Sequence, residues 1–169
     1  MSDNGQSKMI LKILPMKNQE SVNKHVNAYC HLRDKQYAVY AGYAGKHGLT
    51  TKELFLLDIM YFAVDGCTQA AICERLSATK QTVSAIVKKF WKKGYVAFEE
   101  SPADRRNKIL RFTAAGRAYV ERIIPPAAQA ENEAMAALSS EEQQELVRLT
   151  DLFSEQMRLQ FQAIGEERE

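Results

Sequence analysis

The sequence predicts a mostly α-helical, α+β chain in the order helix, helix, helix, helix, β-hairpin, helix, helix. Three observations predict it. Apolar residues recur at helical spacing over most of the 169 residues. Two short runs break that period and read as strands: Tyr95, Val96, Ala97 and Phe98, then Ile109, Leu110, Arg111 and Phe112, with a polar turn at 101–107 between them. Thr50 with Glu53, and Ser139 with Glu142, have the spacing of capping boxes and mark helix starts.

Each element follows from its residues. Residues 1–20 are Ser-, Asn- and Gln-rich and read as a flexible N-terminal arm, with one domain over 21–165. Val22, Val26, Tyr29, Arg33, Tyr37, Tyr40 and Ala44 form one helix stripe over 21–45, which Gly45 and Gly48 end. Thr50 caps a second helix with Leu54, Leu57, Met60 and Tyr61 inward, closed by Gly66. Thr68 starts a third, with Ala71, Ile72 and Leu76 inward. Thr79 starts a fourth, with Val83, Ile86, Val87, Phe90 and Trp91 inward, ending at Gly94. After the hairpin, Thr113 opens a helix through Tyr119 and Ile123. Pro125 and Pro126 must kink or interrupt it, because a mid-helix proline removes a hydrogen bond and clashes with the preceding turn. The helix resumes to about Ala137. From Ser139, Leu146, Leu149, Phe153, Met157, Gln160 and Ile164 form a long stripe towards the C-terminus. Two short helices joined across Leu76, Ser77, Ala78 and Thr79 make a helix-turn-helix, and the hairpin behind them is a wing.

Composition narrows the function. Hydrophobic content is 46% and charged content 26%, ordinary for a globular protein. No run approaches a membrane span: the most apolar stretch, 55–64, contains Asp58. Three cysteines and the absence of a convincing export signal predict a cytoplasmic protein. The net charge of +2 conceals an asymmetry. Residues 79–111 carry nine bases and three acids, net +6, whereas 131–169 carry three bases and ten acids, net −7. A basic segment of that kind suits a polyanion.

The fourth helix is where that charge gathers. With its apolar residues buried, it exposes Lys80, Gln81, Thr82, Ser84, Lys88 and Lys92, and no acid occurs from Lys80 to Val96. Thr79 caps it, so the positive end of its dipole points outward. Gln81 can pair with an adenine edge, Lys80 with guanine or phosphate, and Thr82 and Ser84 with phosphates or base edges, while Lys88 lies nearer the phosphates. In the hairpin turn, Asp104 can hold the loop and leave Arg105 or Arg106 extended, suited to a minor groove. The candidate DNA-contacting residues are therefore Thr79, Lys80, Gln81, Thr82, Ser84, Lys88, Arg105 and Arg106, with Asp104 structuring the wing.

From Thr68 and Gln69 to Gly94, through Tyr95 and Val96, Asp104, Arg105 and Arg106, and the Leu110 to Gly116 run with Thr113, to Leu138 to Glu142, the sequence resembles the MarR family of winged-helix transcriptional regulators. The Asp-Arg-Arg wing followed by Leu-x-x-Thr-x-x-Gly is its most specific part. The resemblance implies a DNA-binding lobe over about 50–113. It implies homodimerisation through the helices at about 21–45 and 114–165, and a third short strand near Cys67. It also implies binding of double-stranded DNA at a pseudo-palindromic operator, repression, and release by a small phenolic or anionic effector. Exposed stripes on the first and last helices point to the dimer independently. Tyr37 and Tyr40 mark a candidate ligand crevice.

Other readings are weaker. A winged-helix module for protein–protein contact would not need an acid-free recognition face. An enzyme would need a phosphate loop, a Gly-x-Ser-x-Gly turn or clustered carboxylates, none of which occurs. His25, His31 and His47 have no metal-ligand spacing, and neither do Cys67 and Cys73, so neither a metal nor a cofactor is expected. Cys30, among tyrosines on the first helix, reads as a structural thiol.

Overall fold

The computed structural model describes residues 16–100 and 108–166. Among them are α1 (Met16–Lys46), α2 (Thr51–Phe62), β1 (Cys67–Thr68), α3 (Gln69–Leu76), α4 (Lys80–Lys92), β2 (Val96–Glu100), β3 (Lys108–Phe112), α5 (Ala114–Val120), α6 (Ile124–Ala136) and α7 (Ser140–Glu166). The architecture is mostly helical with one small antiparallel sheet. Its contacts divide the chain inside the first turn of α2, after Glu53.

The first unit is α1 and the turn after it. The helix begins at Met16 rather than at residue 21. Residues 16–20 contain no Gly, Pro or β-branched side chain, and Gln19 donates to Asn23 one turn on, at 3.2 Å. The end follows the glycines: Gly48 takes φ +66° and Leu49 N–H donates back to the Ala44 carbonyl. The capping box then forms as the spacing predicts. Thr50 N–H donates to Glu53 Oε2 at 2.9 Å, and Glu53 N–H donates to Thr50 Oγ1 at 3.2 Å.

The second unit runs from Leu54 onward. Its core joins Leu54, Leu56, Leu57, Ile59 and Met60 of α2 with Ile72 of α3 and Val83, Ile86, Val87 and Phe90 of α4. Val96, Leu110, Val120, Ile123 and Ile124 complete it. On α3 only Ile72 is buried; Ala71 is exposed and Leu76 half-buried, so the inward face is narrower than the spacing suggests. The sheet order is β1-β3-β2, with Cys67 opposite Leu110 and Phe98 opposite Leu110 on the other edge. Two residues suffice for β1 because β3 supplies its partners. Gly66 leads into it at φ +77°, where a Cβ would meet the Leu110 carbonyl oxygen at 2.8 Å.

The prolines interrupt the helix as expected. α5 stops at Val120, and α6 restarts at Ile124 with its prolines in the first turn, where no intrahelical donor is lost. The second capping box also forms: Ser139 N–H donates to Glu142 Oε2 at 2.8 Å, and Glu142 N–H donates to Ser139 Oγ at 3.2 Å. Leu146, Leu149, Leu152, Leu159, Phe161 and Ile164 on α7 remain exposed.

Candidate nucleic-acid interface

Local capping builds the helix-turn-helix. Thr68 Oγ1 accepts from Ala71 N–H at 3.2 Å and starts α3. α3 ends with Ser77 in the left-handed region at φ 46°. There Ser77 N–H donates to the Glu74 carbonyl and Ala78 N–H to the Cys73 carbonyl, the paired bonds of a Schellman turn. Thr79 then caps α4, accepting from Thr82 N–H at 3.3 Å. The connection between the helices is therefore three residues, Ser77, Ala78 and Thr79, the first left-handed and the last extended.

The exposed side of α4 carries what the sequence places there. Lys80, Gln81, Lys88 and Lys92 are exposed, while Val83, Ile86, Val87 and Phe90 are buried. Neither α3 nor α4 has an acid in its first turn. The hydroxyl groups are less free than expected. Thr79 and Thr82 share a hydrogen bond at 2.9 Å, so of their two protons one remains to face outward. Ser84 differs more: its hydroxyl donates to Gln69 Oε1 at 2.8 Å, half-buried between α3 and α4. A hydroxyl has one proton, so in this arrangement Ser84 offers none to a phosphate.

Trp91 does not turn inward: it is 52% exposed at the last turn of α4. Phe90 takes the buried position, and the two neighbours lie about 100° apart on the helix. Lys89 and Lys93 approach the Phe90 ring at 5.8 and 5.9 Å.

A set of close contacts ties the end of α4 to the sheet and to α5. Gly94 takes φ +72° and closes α4: Gly94 N–H donates to the Trp91 carbonyl and Tyr95 N–H to that of Phe90. Thr113 caps α5 by accepting from Gly116 N–H at 3.0 Å. Its own hydroxyl donates to the Gly94 carbonyl at 2.6 Å, and its N–H to the Tyr95 carbonyl at 3.0 Å. Gly116 passes so near that a Cβ there would overlap the Tyr95 carbonyl. The Tyr95 and Tyr119 rings stack at 4.6 Å. This geometry supplies the physical reason for the Thr-x-x-Gly spacing: one residue caps twice, and the other leaves room for a backbone.

Of the wing, the paired strands are described. Glu100 lies opposite Lys108, and Arg111 donates to Glu99 at 2.7 Å and to the Val64 carbonyl at 3.3 Å. Arg111 thus braces the hairpin. Asp104, Arg105 and Arg106 lie outside the described residues.

A groove of about 340 Å³ lies at the end of α2 against β3 and α5, lined by Tyr61, Arg111 and Arg117 among others. Its cations are already engaged. Arg117 sits 4.2 Å from the Tyr61 ring centroid and pairs with Glu121 at 2.9 Å, and Glu121 also accepts from the Tyr61 hydroxyl. Tyr37 and Tyr40 are on α1, exposed and half-buried respectively, and are not among the lining residues. Cys30, Cys67 and Cys73 are half-buried free thiols, and burial pushes the Cys67 thiol up. No helix among the described residues is long and apolar enough to cross a membrane.

Sequence reading passed over Gln69. Its partner is fifteen positions away, and only the Thr68-Gln69 pair at a helix start hinted at a role.

The MarR family profile matches residues 47–107. The transcriptional regulator HosA of Escherichia coli O111:H- is 31% identical over 84 residues, which are 50% of this chain and 62% of HosA. The chain thus matches about three fifths of that curated relative's length. A MarR family regulator from Neisseria meningitidis superposes with a TM-score of 0.64 at 24% identity, over 84% of this chain and 94% of that one. The S. aureus MepR–DNA complex gives a TM-score of 0.62 at 22% identity, over 78% and 96%. At these identities the two structures share the fold. Fold, motif order and family profile agree: residues 47–107 match the MarR family, and the chain is similar to winged-helix transcriptional regulators of that family.

Proposed function

We propose that the chain binds double-stranded DNA as a homodimer at a pseudo-palindromic operator, represses transcription there, and is released by a small phenolic or anionic effector. One observation carries the DNA reading. The face of α4 opposite its buried residues is acid-free and presents Lys80, Gln81, Lys88 and Lys92 beside a capped, outward N-terminus. A related fold bound to DNA, in MepR, supports the same use of it. Gln81 reads a base edge, Lys80 a guanine or phosphate, and Lys88 a phosphate. Arg105 and Arg106 enter the minor groove from a loop that Asp104 holds.

The dimer is supported by apolar surface without a cover. Among the described residues α7 exposes seven large aliphatic or aromatic side chains, with Phe161 68% exposed, and α1 exposes Val22, Val26, Leu32, Tyr37 and Val39. Surfaces of that kind mark interfaces, and a two-fold pair is the commonest way to close them. Two recognition helices then meet successive major grooves about 34 Å apart. The effector and the repressing role rest on the family resemblance.

The test is selection of duplexes from a random pool, followed by titrations on the selected and a scrambled duplex at two salt concentrations. The parent selects a two-fold site. Gln81→Ala relaxes preference at one position per half-site, by about 1–3 kcal/mol per base contact. Lys88→Ala weakens both duplexes and lowers the salt slope by about one unit per subunit. Arg106→Ala loses most on A/T-rich flanks, and Asp104→Ala follows it in part. A folded parent that selects nothing, with four variants that bind like it, overturns the reading.

A further inference from the structure

Ser84 and Gln69 belong to different helices, yet the structure joins them. Ser84 Oγ donates to Gln69 Oε1 at 2.8 Å in a half-buried setting. A carboxamide has an acceptor end and a donor end fixed in one plane. With the oxygen turned to Ser84, the Gln69 amide nitrogen points the other way and carries two donors. Gln69 is the first residue of α3, and no acid lies in the first turn of either helix to take those donors.

A group that presents only donors suits a partner that offers only acceptors. Phosphodiester oxygens are such a partner. In a helix-turn-helix the first helix crosses the DNA backbone while the second enters the groove, and α3 is the first helix here. Base edges are left to α4.

We propose that Gln69 donates to a DNA backbone phosphate, and that Ser84 is a positioning residue that acts through Gln69 by holding its carboxamide donor-outward. This inference rests on the DNA-binding reading of the same surface. It reverses the role expected for Ser84, whose single proton is spent on Gln69. It also adds Gln69 to the contacting residues. Without Ser84 the amide rotates freely, and half of its orientations turn a carbonyl oxygen towards the phosphate, which is repulsive.

The experiment uses the full chain, with Gln69→Ala, Ser84→Ala, the double variant and Ser84→Thr. Each is titrated on the selected and the scrambled duplex at two salt concentrations, and each is melted. Gln69→Ala is expected to weaken both duplexes alike, by about tenfold, the scale of a neutral hydrogen bond made once in each subunit. The salt slope stays unchanged, since a neutral donor releases no counterion. Ser84→Ala loses about threefold, the double variant loses no more than Gln69→Ala alone, and Ser84→Thr restores binding because it keeps the hydroxyl. Additive losses would show Ser84 touching DNA itself and overturn the proposal. Lowered melting with unchanged affinity would reduce the pair to a lock between helices, and a loss confined to the selected duplex would make Gln69 a base reader; either result overturns it as well. Lys88→Ala is the control: if it flattens the salt slope while the Gln69 and Ser84 variants bind like the parent, this inference fails and the DNA reading stands. If the folded parent binds neither duplex, the DNA reading itself has failed.

Discussion

Replacing Gly116 by alanine adds one methyl group and gains helix propensity, yet it should be among the more damaging single changes in the second unit. The new Cβ would overlap the Tyr95 carbonyl oxygen and lie 2.7 and 2.9 Å from the carbonyl carbon and Cα of Tyr95. Comfortable carbon–carbon contact is about 3.5–4.0 Å, so α5 and the start of β2 must separate by about 1 Å. That movement stretches the Thr113 N–H bond to the Tyr95 carbonyl and the Thr113 hydroxyl bond to the Gly94 carbonyl, each worth about 1 kcal/mol. It disturbs the Tyr95–Tyr119 stack, worth about 1 kcal/mol, and strains the Thr113 cap, worth about 1 kcal/mol. The gain from glycine to alanine in a helix is at most about 1 kcal/mol. The balance is a loss of about 3 kcal/mol, which for a chain of this size lowers Tm by about 6–12 °C. Thermal unfolding followed by far-ultraviolet circular dichroism measures it. Gly116→Ser should be as damaging, because it carries the same Cβ. If Gly116→Ala melts within a degree of the parent, the close approach is not a constraint on this fold, and the account of the Thr-x-x-Gly spacing fails.

Ser77→Gly should stabilise by about 0.5–1 kcal/mol, because glycine occupies the left-handed position at φ 46° without a Cβ; a lower midpoint in urea would contradict that turn. Burial holds the Asp58 carboxyl above its ordinary value, with Glu131 adding to the rise and Arg75 opposing it. The folded chain thus keeps that proton to higher pH than the unfolded chain. Its stabilising contribution is present below the ordinary carboxylate range and is lost as pH rises through the raised value. Asp58→Asn should therefore raise Tm at pH 7, with the gain shrinking in acid; an equal gain at every pH would assign it to something other than titration. Ending the chain before Glu145 removes most of α7 and should give aggregate or unfolded protein, whereas a soluble monomer in analytical ultracentrifugation would exclude the α7 interface.

The sequence by itself determined whatever is decided within one turn of chain. Both capping boxes, the caps at Thr68, Thr79 and Thr113, and the Gly94 terminus form where the spacing places them, because a cap joins residues three or four apart. The buried face of α4 was legible for the same reason: Val83, Ile86, Val87 and Phe90 recur at the helical period. The two-strand period of the wing and the helix break at 121–123, just before the prolines, are equally local.

Tertiary structure decided the partners that lie far apart in the chain. Ser84 looked like a free hydroxyl until α3 brought Gln69 to it, and Arg111 looked like one more cation until the hairpin set it between Glu99 and the Val64 carbonyl. Trp91 is as apolar as its neighbour, but burial follows the angle on the helix, and Phe90 holds the inward angle. Gly116 shows the division most clearly. Its identity stands in the sequence, but the reason for it is the backbone of Tyr95, twenty-one residues earlier, which comes within reach only when β2 and α5 are packed together. Periodicity reports which face of an element is apolar; it carries no record of which distant atom that face will meet.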